Sequence, residues 1–156
     1  MNTSIILKNT TTNNVRKSFI NLMQYAIKKG NKNKIENIFR SLLFYIIKNP
    51  NLQNNFNFND IFNAISNTSP KMSVKTKRKG SKNIYIPITI TENHSKYLSS
   101  NWLITHSKLK NNNTFYKNLA EELNESSKKK SLSFKKCYEM HKLAEASLSN
   151  LKGKLK

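Results

Sequence analysis

The sequence predicts a mainly α-helical protein, a six-helix bundle with one protruding β-hairpin inserted between helices three and four. Three observations lead to this fold class. Apolar residues recur at spacings of three and four in six segments, the period of amphipathic helices. Only between about 71 and 91 do apolar residues instead alternate with polar ones, the period of two that is typical of β-strands. The chain has 156 residues, the length of about one domain. We expect 1–12 to form a flexible N-terminal arm and 13–156 to form a single domain.

The first three predicted helices end at Gly30, Pro50 and Pro70, residue types that commonly terminate helices. Their expected bounds are about 14–29, 33–48 and 57–67, with a loop over 49–55. The apolar faces are formed by Val15, Phe19, Leu22, Met23 and Ala26 in helix one, Ile35, Ile38, Phe39, Leu42, Leu43 and Ile46 in helix two, and Phe58, Ile61, Phe62 and Ile65 in helix three.

Two alternating runs on either side of a basic, glycine-containing turn predict the hairpin. Met72, Val74 and Thr76 alternate with polar residues in the first run, and isoleucines alternate with Tyr85, Pro87 and Thr89 in the second. Pro87 cannot donate to a ladder, so its strand must present that backbone N–H position at the outer edge, as a two-stranded ribbon allows. We expect Gly80 to relieve backbone strain in the turn. The base of the ribbon should rest on the helices through Ile86, Ile88 and Ile90.

The last three predicted helices span about 94–109, 114–126 and 133–151, and loops at 110–113 and around 126–133 separate them. Their apolar residues are Tyr97, Leu98, Trp102 and Ile104 in helix four, Phe115, Leu119, Ala120 and Leu123 in helix five, and Phe134, Cys137, Met140, Leu143, Ala144, Leu148 and Leu151 in helix six.

The charge balance of the chain predicts a polyanionic partner. Lys and Arg total 28 against 8 Asp and Glu, a formal net charge of +20. Such a chain repels itself unless a polyanion neutralises it, and nucleic acid is favoured over an acidic membrane surface. No apolar run approaches the ~18–20 residues that span a bilayer, and the lysines gather at loops, so we expect no membrane partner. Only 3 of the basic residues are Arg, which favours recognition of phosphates and shape over base edges.

The basic residues form three groups near the ends of predicted elements. The corner cluster comprises Lys28, Lys29, Lys32 and Lys34; the ribbon cluster comprises Lys75, Lys77, Arg78, Lys79 and Lys82; and the helix-six cluster comprises Lys128, Lys129, Lys130, Lys135 and Lys136. Groups at element ends can converge on one face. Phosphate binding through such groups gives affinity and salt dependence with little sequence choice, so the clusters predict nucleic-acid binding.

The residue types that carry catalysis or bind metals do not form a recognisable site. His94, His106 and His141 lie in different elements without metal-site spacing. Glu121, Glu122 and Glu125 fit a solvated helix face better than a catalytic pair. Cys137 is the only cysteine, which excludes an internal disulfide and a cysteine-based zinc site and predicts a buried structural thiol. We expect no enzyme activity, no catalytic residue, no metal and no cofactor.

Three stretches resemble the bacterial-type family of small-subunit ribosomal protein seven. "NAISNTSPKMSVKTKRKGSKNIYIPITI" (63–90) resembles the family's helix end, basic turn and return strand with Tyr and Pro. "SSNWLITHSKLKNNNTFYKNLAEELNES" (99–126) is similar to its Trp-Leu/Ile helix followed by a Leu-Ala-x-Glu-Leu helix. "SFKKCYEMHKLAEAS" (133–147) is similar to its closing motif with Lys-Lys and His-Lys/Arg.

This resemblance implies a helical RNA-binding bundle with a protruding ribbon. It implies binding to the three-prime major, or head, domain of small-subunit ribosomal RNA, a role in head assembly beside other head proteins, and a ribbon near the exit-site tRNA and mRNA path. The RNA contacts it implies are Arg16, Lys17, Lys32, Lys34, Lys77, Arg78, Lys79, Lys135, Lys136 and Lys142, with His141 as either a contact or a packing residue.

Two alternatives to these expectations remain open. One is a non-ribosomal, basic, architectural RNA- or DNA-binding protein. The other concerns location. The many Asn, Lys and Ile residues suggest an AT-rich genome, and no presequence is recognised at the N-terminus. We therefore expect an organelle-encoded mitochondrial ribosomal protein, with a plastid or an AT-rich bacterial cytoplasm as the alternative.

Overall fold

The computed structural model describes residues 15–49, 58–110 and 114–150. Within them lie six helices and one antiparallel hairpin, so the predicted fold class is confirmed. The elements in chain order are α1 (15–26), α2 (Lys32–Lys48), α3 (Phe58–Thr68), β1 (Met72–Lys79), β2 (Lys82–Thr89), α4 (Glu92–Leu109), α5 (Phe115–Ser127) and α6 (Leu132–Ala146). The predicted arm 1–12, the loop residues 50–55 and 111–113, and Leu151 lie outside the described residues. The division into arm and domain therefore stays a prediction.

Two helices end earlier than their expected bounds. The helix α1 ends at 26 because Lys29 and Gly30 adopt left-handed backbone angles, with φ of 53° and 74°. The helix α6 was expected to reach 151 but ends at Ala146. There the Ser147 hydroxyl donates to Ala144 O (3.0 Å), a carbonyl that a continuing helix would use one turn later. Left-handed backbone angles therefore set the end of α1, and local hydrogen bonding sets the end of α6.

The core is assembled from apolar residues of the first five helices, as predicted except in α4, where Leu103 was not among the residues assigned to the apolar face. Its fully buried members include Leu22 of α1, Leu42 of α2, Ile61 of α3, Leu103 of α4 and Leu119 of α5. Burial of such a side chain contributes about 1.5–3 kcal/mol. Four residues assigned to apolar faces are instead exposed, because they lie at the edges of those faces: Phe62, Tyr97, Leu143 and Leu148.

The contact between α3 and α4 is made by small polar residues. The hydroxyls of Thr68 and Ser99 are 2.6 Å apart, and Ser99 also donates to Ile65 O at 3.0 Å. Ser95 donates to Pro70 O at 2.7 Å. Buried hydroxyls are tolerated here because each has a partner. The buried face of α4 is thus largely serine, and the expected stripe through Tyr97, Leu98 and Trp102 is only partly buried or exposed.

The expectation of a solvated face on α5 is wrong for Glu122, which is 0% exposed. One carboxylate oxygen accepts from the Ser133 hydroxyl (2.7 Å) and backbone N–H (3.2 Å) at the start of α6. The other lies 3.1 Å from Lys110 Nζ, which also donates to Glu125 at 2.8 Å. Burial lowers the pKa of Lys110, but the hydrogen bonds to Glu125 and Glu122 outweigh it, so the pKa is raised overall. Burial of Glu122 is tolerated because Lys110, directly after α4, and Ser133 of α6 both supply its carboxylate with donors.

Cys137 packs inside α6 at 3% exposure, which confirms the expected buried thiol. Burial raises the pKa of this thiol to about 11. The thiol is therefore protonated at neutral pH and has little nucleophilic character.

Candidate nucleic-acid interface

The hairpin turns through two residues, and this turn sets its register. Lys79 pairs with Lys82 across Gly80 and Ser81, and Met72 pairs with Thr89 at the base. Gly80 has a φ of 61° and Ser81 does not share the positive φ, as in a type II′ turn. The expected role of Gly80 is confirmed, since L-residues rarely adopt this conformation.

Cations and isoleucines share one face of the ribbon. Directly opposed residues of an antiparallel pair project to the same face. The register sets Lys75 opposite Ile86 and Lys77 opposite Ile84. A shallow cleft beside this face is lined by Lys77, Arg78, Lys79, Ile84 and Ile86 together with Ser149 and Asn150. Lysine stems can cover apolar surface while their charged heads stay in water, so this face combines a cationic rim with a half-buried apolar strip.

The base of the ribbon rests on the body through α6. Pro87 is buried and lies opposite Val74, while Ile86 and Ile90 are half-buried. The expected anchor Ile88 is wrong, because its side chain is 43% exposed, although it lies on the same face of the ribbon as the half-buried Ile86. All five members of the ribbon cluster are exposed. At ~3.3 Å per residue, each eight-residue strand reaches about 25 Å.

His141 joins α6 to the ribbon base. Its Nε2 accepts a hydrogen bond from the Lys71 backbone N–H at 3.0 Å. This contact favours the packing role over the RNA-contact role for His141. The closing motif therefore supports the orientation of the ribbon, as does Asn150, which donates to Tyr85 O at 2.9 Å.

We expect His141→Ala to loosen the ribbon base without unfolding the bundle. The lost hydrogen bond is worth about 0.5–1.5 kcal/mol. Amide hydrogen exchange at Lys71 should accelerate, and exchange in the α5 core should not. His141→Gln keeps an acceptor and serves as the control. Equal Lys71 protection in His141→Ala and the parent would contradict the positioning role.

The corner cluster surrounds the left-handed turn between α1 and α2, where all four lysines are exposed. The structure adds Lys108 of α4 to this region. The pKa of Lys108 is lowered, first by burial and then by the nearby charge of Lys28. Lys108 also lies 5.7 Å from the centroid of the Phe115 ring. Sequence reasoning missed Lys108 because its neighbours come from distant segments.

The helix-six cluster occupies the turn between α5 and α6 and the first turns of α6. Lys128, Lys129 and Lys130 are exposed in the turn, where Lys129 has a φ of 60°. The side-chain amide of Asn67 donates hydrogen bonds to the carbonyl oxygens of Ser126 and Ser127, just before this turn, at 3.2 and 3.1 Å. The remaining lysines of α6 are exposed as well: Lys135, Lys136 and Lys142. The ribbon packs on α6, so the ribbon cluster and the helix-six cluster lie on contacting elements. A common face for all three clusters stays a prediction.

Arg16 and Lys17 are exposed on α1. Lys17 borders a cleft of about 620 Å³ at the ribbon base, together with Lys71 and Lys96. Sequence reasoning also missed an exposed aromatic group on α1 and α4. Tyr25 meets Tyr97 edge-on at 5.4 Å, and His94 stacks on Tyr97 at 6.1 Å. Exposed rings beside cations can stack on unpaired bases.

Neither a metal site nor a membrane span is found in the described ranges. Within them, no group of three or more His, Cys, Asp or Glu side chains is arranged to hold a metal ion. Over the same residues, no helix combines the length and the apolar composition needed to cross a bilayer.

A protein-family comparison decides the family. Residues 2–147 match the family model described as ribosomal protein S7p/S5e. The chain belongs to the ribosomal protein S7p/S5e family. The resemblance carried by the three stretches is thereby confirmed. Membership of this ribosomal protein family also confirms the expectation that the chain is not an enzyme.

Curated relatives of this S7p/S5e chain carry the name small ribosomal subunit protein uS7. The Mycoplasma mobile protein is 39% identical over 83 residues, 53% of each chain. The Acholeplasma laidlawii protein is 34% identical over 88 residues, 56% of each chain. The chain thus spans about half the length of these two relatives. The Campylobacter concisus protein is 31% identical over 134 residues, 86% of this chain and 83% of that protein.

Proposed function

We propose that the chain is a structural protein of a small ribosomal subunit that binds the head domain of small-subunit ribosomal RNA. It supports assembly of the head beside neighbouring proteins, and its ribbon lies near the exit-site tRNA and the mRNA path. The observation that carries this proposal is the family match over 2–147 in a chain of net charge +20.

The distribution of charge supports an RNA contact through the proposed site residues. The cations of the three clusters are exposed, as are Arg16, Lys17 and Lys142. In the corner cluster, Lys32 has a long ion-pair contact of 3.7 Å to Glu36, and both groups are partly exposed. Exposed pairs of this kind are weak, so they compete little with phosphate.

The cellular compartment of the protein depends on the kind of ribosome to which it belongs. The curated relatives described above are bacterial proteins. They support a bacterial-type ribosome, and a bacterial cytoplasm accords with them better than the mitochondrion expected from composition. A mitochondrial location stays a prediction without support from these relatives.

Sedimentation tests the proposed function directly. Lysate from the native cells is separated on a sucrose gradient at low salt with Mg²⁺, and the protein is detected by immunoblotting. We expect it to travel with the small subunit and to return to the top of the gradient after ribonuclease treatment. Recovery only in fractions free of ribosomal RNA would favour the non-ribosomal alternative.

Binding to an isolated head-domain RNA fragment should depend steeply on salt. Each neutralised phosphate contributes about 0.7–0.9 to the log–log slope. Several contacts from the three clusters should therefore give a slope of several units, measured by filter binding between 0.05 and 0.5 M KCl. A slope near zero would contradict phosphate-dominated binding.

A further inference from the structure

An open groove of about 750 Å³ lies between α2 and α5, outside the three clusters. Its chemistry is a combination of cations and aromatic rings, and none of the described residues that line it is acidic. The cations and rings are Arg40, Lys48, Lys117, Phe44, Tyr45 and Tyr116. Because its described lining carries positive charge and no acidic residue, the groove suits an anionic occupant.

The cations of the groove lie against its rings. Lys48 Nζ is 5.8 Å from the centroid of the Phe44 ring, and Lys117 Nζ is 5.8 Å from that of Tyr45. Tyr45 meets Tyr116 edge-on at 5.8 Å, and both pack against the core. The wall of the groove is therefore anchored, and each ammonium group is held near a π face.

Phe44 is the exposed ring of this groove. It is 65% exposed, although α2 buries Phe39, Leu42 and Ile46 in the core. Arg40, Phe44 and Lys48 follow one another at intervals of four residues, so they form a single stripe along the helix. The fold gains little from an aromatic ring in this position, whereas a planar ligand gains a stacking surface.

We propose that this groove binds an unpaired nucleotide of single-stranded RNA. Its base stacks on Phe44, and its flanking phosphates lie against Arg40, Lys48 and Lys117. The proposal rests on the proposed RNA-binding function and adds a contact that requires an unstacked base. A duplex keeps its base faces stacked and cannot offer one. A nucleotide supplies both the planar ring and the negative charge that the groove lacks, which favours it over an acidic protein segment.

The test compares single-stranded and double-stranded RNA on the full-length chain. The probes are a fluorescein-labelled ten-nucleotide uridine strand and a ten-base-pair RNA duplex, measured by fluorescence anisotropy. Phe44→Ala should weaken binding of the single strand about tenfold, in the range seen when one stacking ring is removed. It should leave duplex binding and both salt slopes unchanged, since no charge is lost.

Ile47→Ala is the matched control, because Ile47 is 55% exposed on the same helix but does not line the groove. Phe44→Leu keeps an apolar side chain without a ring and should behave like Phe44→Ala. Equal single-strand affinity for Phe44→Ala and Ile47→Ala would overturn the proposal. If the parent also fails to bind the head-domain RNA fragment by filter binding, the proposed function fails as well. If the parent binds that fragment while Phe44→Ala and Ile47→Ala bind the single strand equally, only the groove proposal is overturned.

Cross-linking locates the contact independently of affinity. The uridine strand is substituted with 4-thiouridine, irradiated with the protein and digested with trypsin. Cleavage after Arg40 and Lys48 releases the segment 41–48, which contains Phe44. An RNA adduct on this segment supports the proposal. Adducts confined to other segments, or cross-links of this segment only to a protein neighbour in assembled subunits, would overturn it.

Discussion

Replacement of Lys77, Arg78, Lys79 and Lys82 by alanine should produce the largest loss of RNA affinity available from a single structural element. If each of these exposed cations contacts one phosphate, the log–log salt slope falls by about 3. The same relation gives a loss of as much as about a thousandfold at 0.1 M salt, with the two proteins converging near 1 M. The measurement is a salt titration of binding to a head-domain RNA fragment.

The helical body of this variant should remain intact, because the four side chains are exposed and lie beyond the half-buried base of the ribbon. Circular dichroism and the thermal midpoint should match the parent. Lys77→Arg, Lys79→Arg and Lys82→Arg combined, with Arg78 kept, preserve the charge and provide the control. If the alanine variant bound and assembled like the parent, the ribbon would be a packing element, and its assignment to RNA would be wrong.

Glu122→Ala should give the largest loss of stability. The substitution removes the acceptor of two hydrogen bonds from Ser133 and the buried partner of Lys110. Breaking a buried pair by removing one partner costs about 3–5 kcal/mol, a large share of the ~5–15 kcal/mol that stabilises a typical domain. Urea unfolding monitored by circular dichroism measures the change in the free energy of unfolding.

Glu125→Ala provides a matched comparison, because Glu125 pairs with the same lysine but its side chain is 46% exposed. We expect a loss of about 0–1 kcal/mol for this exposed pair. If the two variants lost similar amounts of unfolding free energy, the contribution of the Glu122–Lys110 pair to stability would not depend on the burial of Glu122.

The pH dependence of this network has a definite sign. Because the folded-state pKa of Lys110 is raised, its contribution is fully present below the pKa of an unfolded lysine, about 10.4. The contribution is lost only as the pH rises through the higher folded-state value. The Lys110 network should therefore support the fold unchanged across neutral pH.

Helices were predictable because apolar spacing is a local signal, and α2, α4, α5 and α6, whose starts lie within the described residues, begin within about two residues of the expected position. The serine contact between α3 and α4 could not be predicted, because buried hydroxyl residues such as Ser99 leave no apolar pattern in the sequence. Burial of Glu122 depends on Lys110 and Ser133, which reach it from separate segments. Such pairings are a property of the packed structure and cannot be derived from the spacing of one helix.

The candidate site was likewise predictable only in part from the sequence. Charge clusters were visible in the sequence, and their lysines are exposed as expected. The register of the ribbon depends on a turn of two residues, which the sequence did not specify, and this register determines that Lys75 and Lys77 face Ile86 and Ile84. Apolar spacing left Phe44 off the predicted buried face of α2, but the groove around this ring also needs Tyr116 and Lys117 of α5, which the sequence of one helix does not bring together.

The protonated thiol of Cys137 makes α6 a built-in reporter of local opening. A thiol-specific reagent can modify Cys137 only during excursions that expose it, so the modification rate measures the free energy of those excursions. The same helix contacts the ribbon base and carries two of the five lysines of the helix-six cluster. RNA that binds both the ribbon and the helix-six cluster should suppress these excursions. The rate of Cys137 labelling would then report the fraction of protein bound to RNA, without any tag or added fluorophore.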